Sequence, residues 1–260
     1  MKKNMNLMLH AIKTISLVLV LGLALSACAQ TRKLGADTWK EEVLLHDDRK
    51  IMVTRSQTYG GRHEIGQPAP VKEHSINFKL PGSIKSITWV SEYGEDLGRT
   101  NFKLLALHVL KDTPYLVAVP NLCLAYNKWG RPNPPYVIFK LEAEQWTRIA
   151  LNEFPSEFKD NNLVINNQGE AQILTGASVV TAEFVKKLND ELTQPEYKTI
   201  LREKINYDPQ CIPMVSNGKG VWRATAWFET KPTFDACLTA CFHDNYDEKH
   251  CPCNSIFQRK

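Results

Sequence analysis

The chain has 260 residues, 32 Lys and Arg against 28 Asp and Glu, a formal net charge of +4, and 43% hydrophobic residues. That profile belongs to a folded protein and excludes a disordered tail, a collagen-like fibre and a multi-span membrane protein. The basic excess is small and evenly spread, so no nucleic-acid partner is expected, since that would select a clustered basic stripe.

At the N-terminus, Lys2, Lys3 and Lys13 accompany an apolar run from Ile15 to Leu25 that closes on Leu25-Ser26-Ala27-Cys28. A basic region, a short apolar core and small residues at the cleavage point are the parts of a secretory signal peptide over residues 1–27. The run is about half of the roughly 20 residues a membrane-spanning helix needs, which argues against a retained transmembrane anchor. Leu25-Ser26-Ala27-Cys28 resembles the bacterial lipobox. The resemblance implies that Cys28 is lipidated on sulfur with palmitate-like chains and becomes the first mature residue. In Gram-negative lipoproteins an Asp after that Cys marks inner-membrane retention. Ala29 and Gln30 stand here, so the resemblance implies the periplasmic face of the outer membrane. Buried methylenes contribute about 0.8 kcal/mol each, enough for several chains together to anchor a protein stably. Cleavage leaves 233 residues, with 29 basic against 28 acidic side chains. The membrane partner is therefore reached through lipid and not through charge.

Six further cysteines remain: Cys123, Cys211, Cys237, Cys241, Cys251 and Cys253. An even number in an oxidising compartment reads as up to three disulfides. Cys237 and Cys241 are four apart in a segment that can be helical, which puts both sulfurs on one face. Cys251 and Cys253 are too close for an easy ring between them. The expectation is that the first of these pairs bridges to the second, and Cys123 to Cys211. His243 and His250 lie among the cysteines and raise a zinc alternative. The spacings do not match a C-x-x-C ribbon, and no metal or other cofactor is expected.

Residues 28–38 are polar and aperiodic and read as a tether. From Trp39 to residue 260 the chain reads as one β-rich domain, with residues 206–260 a candidate Cys-rich subdomain. Val43-Leu44-Leu45 and Ile51-Met52-Val53 flank Asp47-Asp48 as a hairpin. Ile76, Phe78 and Leu80 alternate with Asn77 and Lys79 before Pro81-Gly82, and Ile87 and Trp89 share a face of the next strand. Leu104 to Leu110 and Tyr115 to Val119 flank Lys111-Asp112-Thr113-Pro114. Tyr136 to Leu141 and Trp146 to Leu151 flank Glu142-Ala143-Glu144. Asn217-Gly218 marks a hairpin between Met214-Val215 and Val221-Trp222. One region reads as helix: Thr181 caps it, Glu183 complements its positive end, and Phe184, Val185, Leu188 and Leu192 form the apolar stripe. Pro195 opens a second helix with Tyr197, Ile200, Leu201 and Ile205 inward, the pair spanning 181–205. The fold class expected is α+β, mainly antiparallel β in a sandwich- or barrel-like meander, with a helical pair and a disulfide-tied C-terminal segment.

No G-x-S-x-G, H-E-x-x-H, Walker A or G-x-G-x-x-G motif is present. Three constellations remain. Tyr59 to Gly66 presents Arg62, His63 and Glu64 on a glycine-rich loop, where a His beside a carboxylate can serve as a general base. Glu92, Glu95 and Asp96 crowd one turn, a composition suited to acid/base work or to a hard cation, but also to a solvated surface turn. Tyr126 to Tyr136 holds three prolines with Tyr126, Trp129, Arg131 and Tyr136, residue types that dominate binding hot spots. The competing reading is a corner whose rings pack inward. Leu44 to Asp47, Gly60 to Gly66 and Ala125 to Tyr136 together resemble a family of uncharacterised bacterial lipoproteins, which implies an address and no activity.

The function expected is a lipid-anchored, periplasm-facing envelope protein that binds a protein or glycan without catalysis, one form being an immunity-type toxin neutraliser. The alternatives are an envelope hydrolase using His63 with Glu64 or Glu92, and a purely structural protein.

Overall fold

The computed structural model describes residues 36–165, 176, 179–206 and 210–258. The leader and Cys28 lie outside them. No helix among the described residues is long and apolar enough to cross a membrane.

Two four-stranded meanders dominate. The first comprises β1 (Ala36–Leu44), β2 (Lys50–Tyr59), β3 (Val71–Lys79) and β4 (Ser86–Ser91) in the order β1-β2-β3-β4. A small ribbon of β5 (Tyr93–Gly94) and β6 (Arg99–Thr100) follows. The second meander is β7 (Phe102–Leu110), β8 (Thr113–Pro120), β9 (Val137–Glu142) and β10 (Gln145–Ile149), in the order β10-β9-β8-β7. Its strands pair antiparallel. Both hairpin turns in it are two residues long. Lys111 and Asp112 have φ of 47° and 61°, and Ala143 and Glu144 have φ of 45° and 69°. Those left-handed pairs match the strand twist. The turns are thus tighter than the sequence suggests, because Thr113, Pro114 and Glu142 belong to strands. Likewise β1 begins at Ala36, inside the expected tether.

The first sheet alternates. Ile51 and Val53 of β2, and Ile76 and Phe78 of β3, point into a core completed from the second sheet by Phe102, Leu104, Leu107 and Leu116. The second sheet is buried on both faces through β7, β8 and the start of β9: Leu105, Ala106, Tyr115, Val117 and Ile138 form a further core with Phe154, Phe158, Ile165 and Ile200. A register shift between Leu104 and Ala106 makes this possible. Strict alternation would put Leu104 and Leu107 on opposite faces; the bulge brings them to the same one. The architecture is a sandwich with an outer layer of irregular and helical chain, an α+β fold dominated by antiparallel strands.

α1 (Leu122–Lys128) follows β8. α2 (Ala182–Asp190) forms where its pattern predicts, but ends before Leu192 and leaves Phe184 exposed: the Thr181 hydroxyl accepts from Phe184 N at 3.3 Å, and Val185 and Leu188 pack with Trp39, Val164 and Val180. The second predicted helix is corrected to a single turn, α3 (Pro195–Lys198). Thr199 is extended, with φ −151° and ψ 161°. Its hydroxyl and the Ile200 amide both donate to Lys159 O, at 2.7 and 2.8 Å. This exchange leaves the helix without its next turn, yet Ile200 and Leu201 still pack on the sheet.

Near the C-terminus lie β11 (Met214–Ser216), β12 (Trp222–Ala224), α4 (Thr225–Glu229), α5 (Phe234–His243) and α6 (Cys253–Phe257). The Asn217-Gly218 hairpin forms with a longer loop than a two-residue turn. Asn217 Oδ1 accepts from the amides of Lys219 and Val221 at 2.8 and 3.1 Å, so its side chain mimics a turn. Disulfides join Cys123–Cys211, Cys237–Cys253 and Cys241–Cys251, as the spacings suggest. The last two bridges lie in a separate small core with Phe228 and Tyr246. The close grouping of Cys241, Cys251 and Cys253 sulfurs is the product of those adjoining bridges.

Candidate ligand-binding cleft

The inner face of the first sheet is apolar at one end and polar at the other. On β2 the inward series runs Ile51, Val53, Arg55, Gln57; on β3 it runs Phe78, Ile76, His74. Strand pairing sets Arg55 opposite Ile76 and Gln57 opposite His74. From β1, fully buried Glu41 meets Arg55: Arg55 Nη1 donates to Glu41 Oε1 at 3.0 Å, and Trp39 Nε1 donates to Glu41 Oε2 at 2.8 Å. The guanidinium also lies 5.2 Å from the centre of the Trp39 ring. Removing an ion pair from water costs several kcal/mol per ion, repaid only when further hydrogen bonds complete it. Here completion is partial, because the buried Arg55 Nε has no hydrogen-bond partner among the described residues.

Facing these groups are Thr100 of β6, Phe102, Lys103 and Leu104 of β7, and Asn121 and Leu122 at the entry to α1. With Pro70, Val71 and Arg99 they enclose a cleft of about 270 Å³. Among the described residues Arg55, Arg99 and Lys103 line it and no carboxylate does. Among the described residues no acid pairs with Arg99. The His74 imidazole is fully buried, with Nε2 2.6 Å from Phe102 O. Burial, helped by the Arg55 charge, pushes its pKa down to about 3. It is therefore neutral at ordinary pH, donating through Nε2.

Leu122 stands at the mouth with φ 69° and is 57% exposed. A leucine with positive φ is strained and persists only where its surroundings dictate it. The neighbouring Cys123–Cys211 bridge and the Asn121 N–H donating to Asn101 O at 2.8 Å pin it on both sides. Leu122 and Lys103 are shared with a second cavity of about 220 Å³, lined also by Val119, Tyr126, Glu196 and the Cys123–Cys211 bridge.

The residues singled out from sequence lie elsewhere. His63, Glu64 and Glu92 are all exposed, and among the described residues no hydrogen bond or ion pair joins them. The His63 ring contacts Gly61 O at 2.8 Å. The two loops do meet, but through backbone: Arg62 N donates to Gly98 O at 3.0 Å, and a side chain at Gly61, where φ is 96°, would strike that oxygen. The acidic turn does not gather its carboxylates. Asp96 is buried and pairs with Lys128 at 2.8 Å, while Glu92 and Glu95 are exposed.

In the proline loop Tyr126 and Tyr136 are buried, and Trp129 packs on the core beside Phe102. The Tyr136 hydroxyl donates towards Glu196 O and Thr199 O, at 3.1 and 3.2 Å, and accepts from Leu201 N. Burial raises the Tyr136 pKa well above its ordinary value. Arg131 lies over the Tyr126 ring and donates to Asn127. The rings form the inward-packed corner. Tyr136, Pro132 and Pro134, with Arg148, line a groove of about 410 Å³. His243 and His250 pair with Asp244 and Asp247.

No protein-family model, curated protein or solved structure matches this chain.

In the sequence the apolar alternation of β2 ends at Val53, so it does not point to the cleft's residues. The available signal was that alternation continues through Arg55 and Gln57, setting charge and amide on a face that is otherwise core.

Proposed function

We propose that the chain is a lipid-anchored protein facing the periplasm and that it works by binding a small molecule in the cleft between the sheets. The observation that carries the reading is the cleft itself: fixed cationic donors and apolar side chains converge on one concavity near the lower end of ligand-pocket volumes, about 300 Å³. Binding is favoured over catalysis because the titratable group nearest neutrality there, His74, is too weak a base to take a proton near pH 7. Three disulfides support an oxidising compartment, and the lipobox supports the anchor.

Native mass spectrometry of the protein extracted from envelopes tests this reading. The expected spectrum has an acylated Cys28 as first residue, three disulfides and a bound small-molecule mass released on denaturation. A retained leader or free thiols would remove the address; a cleft that is empty in the extract and stays empty with added small molecules would remove the binding role. The groove beside Pro132 and Pro134 favours a second reading, a protein or glycan partner. Crosslinks from that groove to a co-purifying macromolecule would support it.

A further inference from the structure

We propose that the cleft takes an organic anion, a carboxylate or phosphate head on an apolar body, with the head held by Arg55 and Arg99 and the body passing Leu122. This rests on the reading of the cleft as a binding site and names its ligand class.

Three observations carry it. Among the described residues Arg55 and Arg99 line the cleft and no acid does, and the counter-ion of Arg55, Glu41, sits behind it in the core. Arg99 is thereby left with a charge that no described carboxylate meets. Second, Arg55 is 3% exposed and its Nε–H has no acceptor. An unmet buried donor is costly, and a guanidinium fork matches the paired oxygens of a carboxylate or phosphate. Third, Val71, Phe102 and Leu104 supply an apolar wall that a bare inorganic ion would leave unused. The exposed, strained Leu122 extends that wall at the mouth. The direction of the ligand follows from the second cavity, where buried Glu196 repels an anionic head and leaves room for the apolar end.

The test is calorimetric titration of the full mature protein with octanoate, octyl phosphate and octanol. Both anions are expected to bind, with octanol at least about tenfold weaker, the scale of one charge-assisted hydrogen bond. The ratio of octanoate to octyl phosphate affinity identifies the preferred head. Arg99→Gln is expected to weaken both anions about tenfold while the ligand-free melting temperature stays put, and Arg99→Lys to restore part of the affinity. Equal binding of octanol and octanoate, unchanged affinity in Arg99→Gln, or no binding by any probe would overturn the proposal. A neutral molecule found in the envelope-extracted protein would overturn the anion assignment and leave the binding role standing; an empty protein that also ignores every probe would remove both.

Discussion

The two meanders have the same number of strands and bury them differently. In the second sheet β7, β8 and the start of β9 are packed on both faces and read as nearly continuous apolar runs, as in Phe102 to Leu110, while β10 is a largely exposed edge. The first sheet shows one face to solvent and turns polar at one end of the other, where Glu41, Arg55, Gln57 and His74 lie inward. The second sheet therefore holds the sandwich together. The first contributes a region whose buried polar groups stabilise little for their burial, and that asymmetry is what points to function there.

The largest effect should come from the polar end. Glu41→Gln leaves Arg55 charged and buried without its counter-ion, and should cost about 4 kcal/mol in urea unfolding. Replacing both partners, as in Glu41→Leu with Arg55→Met, should recover most of that loss, since an apolar pair needs no desolvation. The double variant should nevertheless lose ligand. A cost below about 1 kcal/mol for Glu41→Gln would place the pair among exposed ion pairs and erase the contrast between the sheets.

In the second sheet, Leu107→Ala should cost about 3 kcal/mol, because the side chain is fully buried at the sheet interface and the void cannot collapse from either side. The matching change on the outer face of the first sheet, Met52→Ala at a site 43% exposed, should stay within about 0.5 kcal/mol. Similar values for the two would mean that the outer face of the first sheet is covered.

The sequence shows the sandwich more readily than the cleft, for physical reasons. Alternation at Ile76 and Phe78 reports a half-buried strand directly, and six cysteines at those spacings leave few easy bridges. Alternation is blind, however, where the inward positions are charged, as at Arg55. It also fails where a bulge changes parity, as between Leu104 and Ala106. Short helices such as α1, α4 and α6 span under two turns, too few residues for a periodic stripe, and α1 starts from a leucine in a backbone region that its residue type disfavours. In the Tyr126 to Tyr136 loop the residue types match a binding surface, but type does not fix direction. The carbonyls of Glu196 and Thr199, distant in sequence, turn Tyr136 inward.

A further difference separates the sheets by pH. Each carries one buried imidazole: His74 in the cleft, with its pKa pushed down to about 3, and His108 stacked on Phe158 with centroids 4.5 Å apart, pushed down to about 4. Burial is the main cause in both. Because the folded values lie below the ordinary 6.5, the unfolded chain takes up protons first as pH falls. Stability from the neutral rings is thus complete above about pH 6.5 and is lost down to pH 3 for His74 and pH 4 for His108, reaching about 2 kcal/mol each at pH 5. His74→Gln should remove roughly half of the slope between pH 7 and pH 5; an unchanged slope would mean that His74 is not desolvated. An anion bound beside His74 would favour its protonated form, so the ligand-saturated protein should lose less stability on acidification than the free one. His108, closed under Phe158 on the far face of the second sheet, gives no such ligand dependence, so any difference between free and saturated protein that survives in His74→Gln would have to arise outside the cleft.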